Sequence, residues 1–211
     1  TLLLAAAAAG GSNVAAPPVR RGPSRRRLYD GGVGQFAPDG TLYQVEYATK
    51  AVERSEPVAA AVVRGGVGEG GGGVGIAVVA RVKRRIPKRL RADDGALEKL
   101  HQIDEHIVCA AAGVTPDVLA IVRKAREEGA RHRAAFGEPM PVRLMVRQVA
   151  NHLQAYTQHG GLRPFGIGLV VAGFDADEGF QVFEMDPSGN FVRGTVAAAG
   201  AGAPKLREKV A

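Results

Sequence analysis

Val142, Met145, Val146, Val149, Leu153 and Tyr156 stand at i, i+3, i+4, i+7, i+11 and i+14, a single long apolar stripe. That spacing predicts an amphipathic helix over residues 141–158. A stripe of this length must be covered by something. Upstream, Val118, Ile121, Val122 and Ala125 predict the inner face of another helix. Thr115 is read as its N-cap and Pro116 as its first residue, and Gly137-Glu138-Pro139 breaks it. Arg123, Lys124, Arg126, Glu127 and Glu128 form its solvent side. Short apolar runs at 57–64, 76–80, 107–112, 167–174 and 180–186 read as strands. Leu97, Leu100 and Ile103 approach the third of these runs. Gly160-Gly161 predicts a left-handed end to the long helix, and Asp186-Pro187-Ser188-Gly189 a turn. Two such helices on one face of strands predict a layered arrangement of helices and sheets.

The chain has 211 residues, enough for a buried core. No apolar run approaches membrane-spanning length, so no membrane partner is expected. The single cysteine, Cys109, cannot form an internal disulfide and fits a reducing compartment. It lies inside an apolar strand, where it acts as a small hydrophobe. Lys and Arg outnumber Asp and Glu by 28 to 21, a formal net charge of +7 that favours acidic partners. Much of this charge lies in Arg20 to Arg27 and Arg81 to Arg91. Neither stretch interleaves aromatics or sits in a nucleic-acid-binding motif, so solvated basic segments are expected and no specific nucleic acid. Residues 1–27 read as a disordered, low-complexity leader; the Leu2–Leu4 and alanine run lacks the basic residue that precedes a signal-peptide core. Gly65 to Gly75 is glycine-rich, but it lacks the Lys-Ser/Thr ending and the GxGxxG pattern of a phosphate loop. His101 and His106 flank Asp104-Glu105, a spacing that does not converge on a metal. Surface side chains are expected there, with no metal and no cofactor.

A further stretch, Leu28 to Ser55, packs a turn, a helix start and an amphipathic helix together. Pro38-Asp39-Gly40 is turn chemistry. Thr41 follows at the N-cap position with Gln44 three residues on, a capping-box spacing. Leu42, Val45, Ala48 and Val52 give one apolar face to a helix predicted over residues 41–55. Tyr43, Gln44, Glu46, Tyr47 and Lys50 occupy the rest. A helix whose polar face carries two tyrosines and a glutamate is expected to meet a second surface.

The run YD, FAPDG, LYQVEYA resembles the amino-terminal signature of alpha-type subunits of the proteasome core particle. Downstream, YTQ, GGLRPFG, GFD and DPSGN look like the same family, and QAYTQHGGLRPFG with GFQVF and DPSGNF is most similar to the third of its seven alpha-type kinds. The resemblance covers about residues 28–200. It implies an α+β fold, a four-layer αββα sandwich of the amino-terminal-nucleophile hydrolase type, over residues 28–211. Against that pattern the hairpin near Gly70 is expanded, and the chain stops before the family's closing helices and strands, an expected truncation. The implied function is that of a non-catalytic ring subunit in ubiquitin-dependent protein degradation, in cytoplasm and nucleus. Assembly, pore gating and activator docking are its implied tasks. The implied partners are other alpha-type and beta-type subunits and a regulatory ATPase or other activator.

The resemblance also assigns residues. Tyr29, Asp30, Pro38 and Tyr47 match a gating cluster that joins the tail to the first helix. Gly31-Gly32 departs from the family's polar residue after the Asp. Lys83 matches the lysine of an activator pocket by position, although Val82 replaces the usual acidic residue before it. Tyr43 and Val45 are expected at a subunit interface. No catalytic residue is expected. Proteolytic beta-type members use an amino-terminal threonine with a downstream acid and lysine. Here the corresponding places hold Pro17 and Val33, so Thr1 is not read as a nucleophile. Two other classes remain open at this point: a self-processing amino-terminal-nucleophile hydrolase and a basic nucleic-acid-binding protein.

Overall fold

A computed structural model describes residues 29–64, 75–81 and 99–210. Lys83, residues 1–28, the glycine-rich stretch 65–74, most of the basic Arg81 to Arg91 stretch and Leu97 lie outside the described residues. The elements are α1 (Tyr43–Glu53), β1 (Val58–Arg64), β2 (Gly75–Arg81), β3 (Leu100–Asp104), β4 (Ile107–Gly113), α2 (Thr115–Phe136), α3 (Val142–Gln158), β5 (Ile167–Asp175), β6 (Gly179–Met185), β7 (Phe191–Gly194), β8 (Val196–Ala199) and α4 (Ala203–Val210). The strands form two antiparallel sheets, ordered β2-β1-β8 and β3-β4-β5-β6-β7.

Strand parity builds the layers. Successive side chains of a strand point to opposite faces, and β5 is buried on both. Ile167, Leu169 and Val171 face the helices α2 and α3, together with Ile107 and Cys109 of β4 and Phe183 and Met185 of β6. The predicted stripes of both helices meet them there: Val118, Ile121, Val122 and Ala125 from α2, and Val142 through Leu153 from α3. Val170 and Ala172 face the other way, toward Val58 and Ala60 of β1 and Ala197 and Ala199 of β8. The inter-sheet layer is built from valine, alanine and glycine. A Cβ on Gly168 would lie 2.9 Å from Val52 Cγ1 and 3.2 Å from Ala199 Cβ, so the glycine there permits close approach. On the outer face of the smaller sheet, Ala203 and Leu206 of α4 pack on Ala59 and Ala198. The order α2/α3, larger sheet, smaller sheet, α4 is the expected four-layer αββα sandwich.

Three local expectations differ from the structure. The helix predicted over 41–55 begins at Tyr43, because Thr41 is held in the preceding turn: its N–H donates to Asp39 Oδ1 at 3.0 Å and its carbonyl accepts from Ala37 N at 2.9 Å. Leu42 is the N-cap and makes no side-chain cap bond. At α2 the N-cap is Val114, since the β4–β5 ladder runs one residue further and Val114 N donates to Gly166 O at 3.0 Å. At the end of α3 the cap residue His159 is extended (φ −87°, ψ 125°), and positive φ falls two residues later, at Gly161. Leu100 and Ile103 belong to a strand of their own, β3.

The helix starts are secured from a distance. Asp175, at the end of β5, accepts from Val142 N at 3.1 Å with both carboxylate oxygens, and Gln181 Nε2 donates to it at 2.6 Å. A carboxylate at a helix N-terminus is favoured by the unpaired N–H groups and the helix dipole. Asp117, in the first turn of α2, is buried. It accepts from Nη1 and Nη2 of Arg163 at 2.7 Å and from Gly166 N at 3.0 Å. Arg163 holds its carboxyl below the usual value; burial works the other way and loses, and the Gly166 N–H adds to the lowering.

Candidate functional site

The tail and the first helix make the site. Ala37 to Thr41 forms a turn closed by Gly40 N to Ala37 O at 2.8 Å as well as by the Asp39 and Thr41 bonds above. The turn delivers the chain to α1. Ala48 and Val52 are the buried residues of α1 and anchor it on the sandwich. That leaves Tyr43, Gln44 and Tyr47, spaced at i, i+1 and i+4, on the side that the tail approaches.

Tyr47 OH lies 3.3 Å from Asp30 Oδ2, and the hydroxyl donates to the carboxylate. Gln44 Nε2 donates to the backbone carbonyl of Asp30. The rings of Tyr43 and Tyr47 stack with centroids 6.3 Å apart and planes 16° apart. Offset stacking of this kind restrains a ring beyond its buried area. Glu46 and Lys50 pair one turn apart on the same helix. Of the four residues expected in the cluster, the structure joins Asp30 and Tyr47 directly across 17 positions of sequence. Tyr29 is half-buried beside Asp30, and Pro38 lies exposed in the turn. Tyr43 and Val45 are half-buried on α1. Lys83 is not among the described residues.

Sequence reasoning missed the role of Gln44, which the capping-box spacing assigned to the helix start. The signal against that role was Asp39, whose side chain competes for the Thr41 N–H in an Asx turn. It also missed that Arg163 of the RPFG motif is the partner of Asp117.

The acidic pair Asp104-Glu105 is a tie between layers. Asp104 accepts from Glu105 N at 2.8 Å and from Arg133 Nη2 of α2 at 2.8 Å. Burial raises its carboxyl, but the Glu105 N–H and the Arg133 charge outweigh that and hold it below the ordinary value. His106 does not lie free on the surface as expected: its Nε2 lies 2.9 Å from Met140 O, and its Nδ1 faces Asp104. The ring joins the β3–β4 turn to the start of α3. Cys109 is fully buried, and burial pushes its thiol up to about 12, so it is not a nucleophile at neutral pH. No three His, Cys, Asp or Glu side chains converge as a metal site among the described residues.

The chain matches the family model described as Proteasome subunit over residues 70–209. A second model, for the N-terminal signature of A-type proteasome subunits, matches residues 29–51, the segment that forms the site. The chain is 39% identical over 165 residues to Proteasome subunit alpha type-4 of Dictyostelium discoideum, covering 78% of this chain and 62% of that one. Proteasome subunit alpha type-4 of Petunia hybrida is 37% identical over 179 residues, 83% of this chain and 66% of its own. Proteasome subunit alpha of Methanocaldococcus jannaschii is 37% identical over 180 residues, 85% of this chain and 64% of its own. The matched part of this chain thus spans a little under two thirds of the length of these relatives. Their names, alpha type-4 and alpha, do not support the finer likeness to a third alpha-type subunit. The sandwich, the signature over the tail and first helix, and these relatives agree: the chain belongs to the proteasome subunit family, and within it to the alpha type.

Proposed function

We propose that this chain serves as a non-catalytic subunit of the alpha ring of a proteasome core particle, acting in assembly, gating and activator docking during ubiquitin-dependent protein degradation. The bond between Tyr47 and Asp30 carries this reading. With the Gln44 bond to the Asp30 carbonyl, it ties the start of the described chain to a packed helix. A tail fastened by two hydrogen bonds can pass between ordered and released states, which is one way proteins switch. The proposed partners are other alpha-type and beta-type subunits, and a regulatory ATPase or other activator, in cytoplasm and nucleus. Lys83 is the residue proposed to meet an activator's carboxyl terminus through a charge-assisted hydrogen bond. Residues 1–27 are proposed as a leader to the domain at 28–211. The seat in the ring is a finer question: the third-type likeness of the GGLRPFG and DPSGNF stretches is kept as a proposal that cross-linking to ring neighbours decides.

Asp30→Ala is expected to leave assembly intact and to lower activator-stimulated peptide hydrolysis about tenfold or more, the size of effect that losing one hydrogen bond to a charged group supports. The readout is the stimulated rate on a small fluorogenic peptide, relative to the rate after mild detergent opens the particle. Unchanged stimulation in particles verified to contain the variant would sink the gating role.

Assembly is tested separately. Tyr43→Ala combined with Val45→Asp removes an aromatic anchor and places a charge on the half-buried face of α1, and aromatics are enriched where proteins meet. The double variant is expected to sediment as free subunit rather than with the particle. Normal incorporation would remove both residues from the interface.

A further inference from the structure

We infer that Gln44 is the positioning residue of the tail: it fixes the main chain at Asp30 so that the Asp30 carboxylate stands within reach of Tyr47. The inference rests on the gating reading for its functional consequence, but not for the geometry.

The capping-box role that its spacing suggests is not available to Gln44. Thr41 is engaged by Asp39 and Ala37, and α1 starts at Tyr43 behind a Leu42 that makes no side-chain cap. The Gln44 side chain instead reaches 14 positions back and donates to the Asp30 carbonyl. Gln44 and Tyr47 are three residues apart and therefore neighbours on the helix surface. Together they hold Asp30 at two points, one on its main chain and one on its side chain. The two points are not equivalent. The carboxylate end turns about the side-chain bonds, and its contact to Tyr47 is long for an O–H donor. The carbonyl end belongs to the backbone and sets the path of the tail directly. An amide N–H that binds a backbone carbonyl also reads no side chain, so it fixes the register of the tail whatever residues follow. Tyr43, stacked on Tyr47, restrains the phenol that donates to the presented carboxylate.

The test uses the full chain with a nitroxide spin label at Gly31→Cys. A Cβ at Gly31 meets nothing within 4 Å, and the native Cys109 is buried and does not compete for the label. Three substitutions are compared. Gln44→Met keeps the length and helix preference and has no donor. Gln44→Glu is an acceptor only at neutral pH. Gln44→Lys restores an N–H donor of similar reach. The rotational rate of the label is expected to rise about fivefold with Met and with Glu, the ratio that one ordinary hydrogen bond supports, and to return toward the wild-type rate with Lys. A label equally slow in wild type, Met and Glu, with α1 intact by circular dichroism, overturns the inference. So does a label freed equally by all three, which would mean that the site tolerates glutamine alone for packing. The outcome is separable from that of the gate. A freed label with Asp30→Ala hydrolysis unchanged keeps Gln44 as the positioning residue and removes gating. A label that stays slow while Asp30→Ala lowers stimulation keeps gating and removes Gln44.

Discussion

Gly113→Ala is expected to cost more than about 4 kcal/mol and to leave little folded protein, in the range reserved for a few severe mechanisms. Gly113 closes β4 with φ +128°, a backbone conformation that a side chain opposes. An added Cβ would fall 2.1 Å from the Gly166 carbonyl oxygen and 2.9 Å from Ile167 Cα. Both are backbone atoms, so no rotamer change relieves the overlap. Moving Gly166 away would strain two bonds at once: Val114 N to Gly166 O and Gly166 N to Asp117 Oδ2, each 3.0 Å. Gly137→Ala separates the two causes. Its φ is +75° but nothing lies within 4 Å of its Cβ, so the backbone term alone predicts about 1–2 kcal/mol. Urea denaturation of both variants measures the difference. A Gly113 variant no worse than the Gly137 variant would mean that the β4–α2 junction relaxes and that the overlap carries no cost.

Removing Arg163 is the second large effect, and its signature is a change in pH dependence. Asp117 is buried whereas the Arg163 side chain is 65% exposed. Losing the arginine therefore strands a buried carboxylate, and losing the aspartate merely returns an exposed guanidinium to water. Breaking a fully buried pair costs about 3–5 kcal/mol; the open side of Arg163 reduces this to about 2–3 kcal/mol for Arg163→Ala, with surface screening in mind. Asp117→Ala still leaves the Gly166 N–H without its acceptor, a loss of about 1–3 kcal/mol. In the wild type the Asp117 carboxyl is held below its unfolded value by Arg163 first, against burial, with help from Gly166. The unfolded chain therefore binds this proton more readily than the folded chain. The stabilisation is present above the unfolded pKa of about 3.9 and is lost as pH falls through the lower folded value. In Arg163→Ala burial is opposed by the Gly166 N–H alone, so the carboxyl shifts upward and the gain in stability on leaving acid should shrink or reverse. Thermal melts from about pH 3 to 7 decide this. Parallel wild-type and variant curves would show that the guanidinium does not set the Asp117 charge.

Both effects lie outside the tail–helix cluster but support it. Gly166 lies against α1 as well as α2: a Cβ on it would sit 3.1 Å from Val114 Cγ2 and 3.6 Å from Ala51 Cβ. The RPFG turn is thus a junction where β4, α1, α2 and β5 meet. The motif serves as architecture. Its arginine ties down the first turn of α2, and its glycine lets the strand ends come together. Phe165 packs with Tyr156 at 4.5 Å between ring centroids, which fastens the turn to α3. Through Ala51 this junction touches α1, the helix that carries Gln44 and Tyr47.

Periodicity in the sequence was enough to place β1, β2, β4, β5 and β6 and the helices α1, α2 and α3, whereas β3 and the four-residue strands β7 and β8 emerged only in the structure. The stripe from Val142 to Leu153 is buried along its length, and the strands predicted at 167–174 and 180–186 pair as the expected hairpin. This works because burial is a contrast between water and core, and that contrast repeats at 2 or 3.6 residues whatever the partner is. The YD, FAPDG, LYQVEYA run likewise identified the family from local residue types alone. Only the tertiary structure decided the partners of the polar groups. Gln44 meets Asp30 across 14 positions, Val142 meets Asp175 across 33, and Arg163 meets Asp117 across 46. An unpaired N–H or carbonyl takes whichever complementary group packing brings within about 3 Å. Local spacing offered Thr41 and Thr115 as caps, and both lost to groups delivered by the fold: a tight turn in one case and an extended strand ladder in the other.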